Sequence, residues 1–131
     1  MQKFAKQWNG KTIEDWGGYQ SIEWKSFCKC FKGAIKRNTY GYEIKGEKSF
    51  SPGHYCLSGF VAKGDAHYYI SFDYDRGLPV NLSKKSWAGP ILWRRAKDTK
   101  DYHGGINHFS TAENLFDEIE ADFEARCREV A

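Results

Sequence analysis

Residues 54–74, HYCLSGFVAKGDAHYYISFDY, decide the fold. Two runs rich in aromatic and β-branched residues flank Lys63-Gly64-Asp65-Ala66, and a two-residue Gly64-Asp65 connection suits a type II′ hairpin, whose first central position takes glycine. That turn fixes the pairing. Val61 then faces Tyr68, Gly59 faces Ile70, Leu57 faces Phe72 and Tyr55 faces Tyr74, giving one largely apolar face. The other face pairs Ala62 with His67, Phe60 with Tyr69, Ser58 with Ser71 and Cys56 with Asp73, and is mostly polar. Register and amphipathicity agree, so an antiparallel sheet with one buried face is expected.

Upstream of the hairpin, Tyr40, Tyr42 and Ile44 alternate with Gly41, Glu43 and Lys45, the period of a half-buried strand, which the Ser49 to Gly53 loop ends. Before that strand the period changes to 3.6. Trp24, Phe27, Cys28, Phe31, Ala34 and Ile35 form the buried stripe of a helix from about Ser21 to Arg37, with Ser21 as its cap. Phe4, Trp8, Ile13 and Trp16 sustain no period. A short turn or helical piece that packs its tryptophans onto the core is expected there.

Downstream, residues 75–89 are a polar connection with an extended piece at Val80 to Leu82. Ile91 to Lys97 is expected as a fourth strand. Ser110 and Glu113 match the capping box of a last helix, whose apolar residues are Leu115, Phe116, Ile119, Phe123 and Cys127. The expected fold is a single α+β domain over residues 1–131, an antiparallel sheet of three to four strands between an N-terminal and a C-terminal helix, in the order α-β-β-β-β-α. A chain of 131 residues with 17% aromatic content has enough material for one core without staples.

The four cysteines, Cys28, Cys30, Cys56 and Cys127, suit reduced structural thiols in a cytoplasmic protein. A zinc site drawn from Cys56, His54, His67, His103 and His108 is the alternative, but neither C-x-x-C nor H-x-x-x-H spacing occurs. No metal and no cofactor is expected. The N-terminal MQKFAKQWNGK lacks the apolar core of a signal peptide, and no apolar run reaches membrane-spanning length, so no membrane association is expected.

Charge is divided along the chain. Residues 1–109 carry a net charge of +8 and residues 110–131 a net charge of −5, so the body is basic and the tail acidic. Lys25, Lys29, Lys32 and Lys36 lie on one ridge of the first long helix, where they form either a contact for a nucleic-acid backbone or a solvated face. Arg94, Arg95, Lys97 and Lys100 form a second basic cluster. Asp117, Glu118, Glu120, Asp122 and Glu124 form an acidic surface on the last helix, outside its buried stripe, which mimics nucleic acid toward a basic partner or simply balances the sheet. Phe60 and Tyr69 are either a platform for stacking unpaired bases or a cross-strand pair that stabilises the hairpin, with His67 and Lys63 nearby.

The segment 91–109, ILWRRAKDTKDYHGGINHF, concentrates hydrogen-bonding and titratable groups between two foldable elements, which makes it the leading functional segment. It leads Tyr102 and His103 into a Gly104-Gly105 turn that delivers Asn107, His108 and Phe109. In a small RNA or DNA nuclease, His103 and His108 would supply a base that Asn107 orients, with Arg94, Arg95 or Lys97 holding the phosphate. No Gly-rich phosphate loop and no Gly-x-Ser-x-Gly elbow occurs. A plain RNA- or DNA-binding module is a third class.

Two resemblances add to this. Ser51-Pro52-Gly53-His54 before a strand holding Phe60 is similar in topology to a double-stranded-RNA-binding domain. In that family a lysine cluster opens the final helix, where this chain has Thr111-Ala112-Glu113-Asn114. Over more of the chain, NGKTIEDWGGYQSIEW (9–24), GHYCLSGF (53–60) and ILWRRAKDTKDYHGGINHF (91–109) resemble small proteins of phages and conjugative elements, among them anti-CRISPRs. That resemblance implies a non-enzymatic inhibitor in the cytoplasm of a bacterial host. Its partner would be a CRISPR effector nuclease, most plausibly type II, or the effector's guide RNA or target DNA.

Overall fold

A computed structural model describes residues 1–8, 22–51, 56–73 and 91–130. Its elements are α1 (Gln2–Trp8), α2 (Ile22–Lys36), β1 (Glu43–Lys45), β2 (Cys56–Lys63), β3 (Ala66–Asp73), β4 (Ile91–Ala96), β5 (His108–Ser110) and α3 (Leu115–Val130). The fold is α+β. Its five strands pair antiparallel in sequence order, one more strand than the upper limit expected from sequence.

The hairpin has the register that its turn dictates, from Lys63 opposite Ala66 to Cys56 opposite Asp73. Gly64 has φ +59° while Asp65 has no positive φ, the combination that a type II′ turn requires. The Tyr55–Tyr74 pair, the Ser21 cap, Ile13, Trp16, His54, the Pro52 loop and the 75–89 connection lie outside the described residues.

Leu57, Val61, Tyr68, Ile70 and Phe72 form one wall of the main core. The stripe of α2 packs there, with the Phe27 ring 4.8 Å from Phe72. Helix α1 packs against the same stripe, where Phe4 and Trp8 lie 5.6 and 5.3 Å from Phe27. Helix α3 packs onto the same face of the sheet through Leu115, Phe116 and Ile119, and Tyr42 meets Phe116 at 5.7 Å. The helices therefore cover one face, and the other is left to a loop. Among the described residues no helix is long and apolar enough to cross a membrane.

Four sequence expectations need correction. Helix α3 starts at Leu115 rather than at Ser110, which ends β5 and accepts a hydrogen bond from Trp93 Nε1 at 2.8 Å. Asn114 takes the capping position instead, its carbonyl accepting the first helical bond from Glu118. Cys127 is exposed, beyond the buried stripe. The second face of the hairpin is not an open polar surface, because Phe60, Ala62, Tyr69 and Ser71 are all buried on it. Lys63 is not near that face either: it shares the parity of Val61 and reaches Glu120 on the helix side.

Candidate nucleic-acid interface

The loop between β4 and β5 is built around one carboxylate. Asp101 accepts backbone hydrogen bonds from Lys97 at 3.0 Å, Gly104 at 2.8 Å and His103 at 3.4 Å. Chiefly the Lys97 and Gly104 amides hold its carboxyl below the usual aspartate range. Asp98 accepts the amide of Lys100 at 2.8 Å in the same manner. Gly105 adopts φ +83°, and a Cβ there would lie 2.6 Å from the Arg95 carbonyl, so only glycine lets the loop turn back against β4.

Folded in this way, the loop lays Tyr102 over the buried pair. The rings of Phe60 and Tyr69 are 5.3 Å apart, and Tyr102 stands edge-on to them at 5.2 and 5.8 Å. Phe60 and Tyr69 are 1% and 8% exposed, whereas Tyr102 is 50% exposed, so the ring offered to solvent is Tyr102. Arg94 supports it from behind. Its guanidinium lies 4.6 Å over the Tyr69 ring, donates to Asn107 Oδ1 at 3.0 Å and donates to the Tyr102 carbonyl.

Between this loop and the turn after β1 runs a groove of about 500 Å³, lined by Lys48, Ser51, Phe60, Thr99, Lys100 and Tyr102, with Glu47 also on its wall. Lys48, Lys97 and Lys100 are exposed, and none closes a salt bridge with a described carboxylate. Ser49 at the base of the groove is buried and holds the backbone together, its hydroxyl donating to the Lys45 carbonyl and accepting the Phe60 amide.

The sequence-predicted basic cluster is divided by the sheet. Adjacent strand residues point to opposite faces, so Arg94 serves the loop while Arg95 crosses to α3. There Arg95 Nε donates to Asp122 at 2.9 Å and Nη1 to Glu129 at 2.8 Å. Among the described residues, the ammonium groups of Lys97 and Lys100 close no salt bridge. The α2 row lies on the helix side, with Lys25, Lys29 and Lys36 exposed and Lys32 half-buried, remote from the groove face.

The acidic surface is divided as well. Glu120 accepts from Tyr42 Oη at 2.9 Å and pairs with Lys63, whose ammonium also stands 4.6 Å over the Phe123 ring. Asp122 accepts from Tyr68 Oη at 2.8 Å as well as from Arg95. Burial acts to raise the Asp122 carboxyl, and the bonds from Arg95 and Tyr68 together outweigh it, leaving it below its ordinary value. Asp117 is bound by Tyr40 Oη. Glu118 and Glu124 remain exposed on the outer side of α3.

The nuclease trio is not assembled as a base and its orienting partner. His108 stacks on Trp93, with rings 4.3 Å apart and 18° from parallel, while Asn107 is bound to Arg94 on the other face of the sheet. His103 is exposed on the loop. Among the described residues no group of His, Cys, Asp or Glu is arranged to hold a metal ion. Cys28 is buried, which pushes its thiol up to about 12.

Sequence reasoning passed over Tyr102, Lys48, Ser51 and Thr99 as site residues. Tyr102 carried a signal, because an aromatic residue two positions before a Gly-Gly turn is placed to fold back onto a sheet. Lys48, Ser51 and Thr99 carried none, since they meet only through the successive pairing of β1 to β4. No family model, no curated protein and no solved structure matches this chain.

Proposed function

We propose that this protein is a non-enzymatic binder that grips a nucleic-acid backbone through the 97–107 loop and the groove beside it. In the setting that the sequence resemblance implies, the bound strand is the guide RNA or target DNA of a type II CRISPR effector, and occupying it inhibits the nuclease. The observation that carries this reading is the contrast in partners. Lys48, Lys97 and Lys100 close no salt bridge with a described carboxylate, while Glu120 and Asp122 of the acidic helix are engaged with Lys63 and Arg95. Phosphate contacts need cations that are not already neutralised. Mimicry of nucleic acid needs carboxylates facing outward, and two of the five candidates point inward.

The test is paired charge reversal, read by gel shift and by inhibition of guided cleavage. Lys97→Glu with Lys100→Glu is expected to abolish both the shift and the inhibition, while Glu118→Lys with Glu124→Lys leaves both intact. Inhibition lost only with the second pair would transfer the function to α3 and a protein target. Inhibition unchanged by either pair would sink the reading.

A further inference from the structure

We infer that the groove beside Tyr102 takes an unpaired nucleotide, so that the protein binds single strands in preference to duplexes. This rests on the nucleic-acid reading above and narrows it. A surface that only follows a phosphate backbone needs cations; this groove adds a ring and polar groups at the scale of one nucleotide.

The ring is Tyr102, half-exposed on the groove wall and braced edge-on by Phe60 and Tyr69. Bracing matters because a stacking partner that is already fixed loses little freedom when a base arrives. Every base offers a π face, and base–aromatic stacking contributes about 1–3 kcal/mol in single-strand binders. A duplex hides those faces within its own stack.

The cations come from two separate segments, Lys48 from the turn after β1 and Lys100 from the loop, and both line the same groove as the ring. The groove's volume of about 500 Å³ leaves room for a base with its sugar and phosphate. Ser51 and Thr99 add polar side chains, and the Glu47 carboxylate is an acceptor suited to an exocyclic amine of cytosine, adenine or guanine. A groove meant for phosphate alone has no use for that carboxylate.

The experiment measures anisotropy of a labelled, unstructured strand about 12 nucleotides long, as RNA and as DNA, beside the duplexes of the same sequence at one salt concentration. Both single strands, or one of them, are expected to bind more tightly than the matching duplex; which sugar is preferred identifies the source of the strand. Tyr102→Ala is expected to weaken single-strand binding about tenfold, the low-to-middle part of the stacking range, and duplex binding less than twofold. Tyr102→Trp keeps the ring and is expected to preserve the preference, which separates stacking from support of the loop. Photocrosslinking of a bromouridine-containing strand to wild-type protein is expected to label the peptide holding Tyr102, a readout independent of stability. Equal binding of strands and duplexes, with no crosslink at Tyr102, would overturn the inference and leave backbone binding standing. No binding of any probe would overturn both.

Discussion

On the helix face of the sheet, Lys63 and Arg95 meet Glu120, Asp122 and Glu129, and the tyrosine hydroxyls of Tyr42 and Tyr68 complete the seam. On the loop face, the carboxylates of Asp98 and Asp101 accept backbone amides instead, which leaves the ammonium groups of Lys97 and Lys100 outside any salt bridge among the described residues. Both faces hold cations close to carboxylates. What differs is what each carboxylate is bonded to. A carboxylate that closes on a side-chain cation fastens two elements together and cancels a charge. One that caps a turn shapes the backbone and leaves nearby lysines available for a ligand.

Breaking the seam should produce the largest effect. In Asp122→Ala, Tyr68 Oη and the Arg95 guanidinium both lose their partner at a site where the Asp122 side chain is 17% exposed. Removing one member of a part-buried pair costs on the order of 2–3 kcal/mol, less than for a full burial because Arg95 is about a third exposed and solvent screens it. A urea melt is expected to show that loss as a lower midpoint with an unchanged slope. Binding measured on the protein that remains folded should be unaffected. An unchanged midpoint would mean that α3 is held by its apolar stripe alone.

The loop should break differently. Gly105→Ala places a Cβ against the Arg95 carbonyl at a positive φ, a strain of about 1–3 kcal/mol. The strain is local, since the sheet between β1 and β4 does not pass through Gly105. The expected result is amide exchange that speeds up in residues 97–107 with little change in β2 and β3, together with loss of strand binding. Global unfolding in step with the loop would show that the loop and the sheet are one cooperative unit.

Acid should loosen both faces in the same window. Asp122 and Asp101 have carboxyl groups held below their ordinary values, so they take up protons less readily folded than unfolded. The stability that they contribute is therefore complete above the unfolded aspartate value of about 3.9 and fades as pH falls through the lower folded values. Far-UV and near-UV dichroism are expected to be flat from neutral pH down to about 5 and to decline together below about 4. Asp101→Asn tests the loop's share, because its single amide oxygen replaces only one of the two oxygens that accept the Lys97 and Gly104 amides, and a neutral amide gains nothing from nearby Lys97. It should weaken strand binding at neutral pH more than it lowers the urea midpoint.

Much of the fold could be read before the structure, and the reason lies in turn chemistry. Gly64-Asp65 set the register of β2 and β3, the 3.6 period marked α2, and period two marked the line of Tyr42 and Ile44. β5 was not legible. Its three residues, His108, Phe109 and Ser110, are too few to show a period, and they pair only because the Asp101 cap and Gly105 return the chain to β4. The site was legible by segment but not by residue. Sequence placed Arg94 and Arg95 together as cations, whereas consecutive strand positions send them to opposite faces, where each meets partners far along the chain. Glu120 and Asp122 turn inward because Lys63 and Arg95 of the sheet meet them, which no property of α3 alone reveals.

The smallest expected effect is the most discriminating. Glu118 and Glu124 stand on the outer side of α3 with no described cation closing on them, so their reversal to lysine should leave the urea midpoint within about 0.5 kcal/mol, as is usual for exposed surface positions. It also moves the net charge from +3 to +7, counting two units for each reversal. If strand binding depends only on overall charge, that change strengthens it at low salt. If binding depends on the placement of Lys48, Lys97 and Lys100 beside Tyr102, the affinity for a short strand should hardly move, because α3 lies across the sheet from the groove and its charges are screened beyond about 8–10 Å at ordinary ionic strength. A titration repeated at two salt concentrations separates these cases, since a bulk-charge effect disappears at the higher salt and a placed contact keeps its rank among the variants.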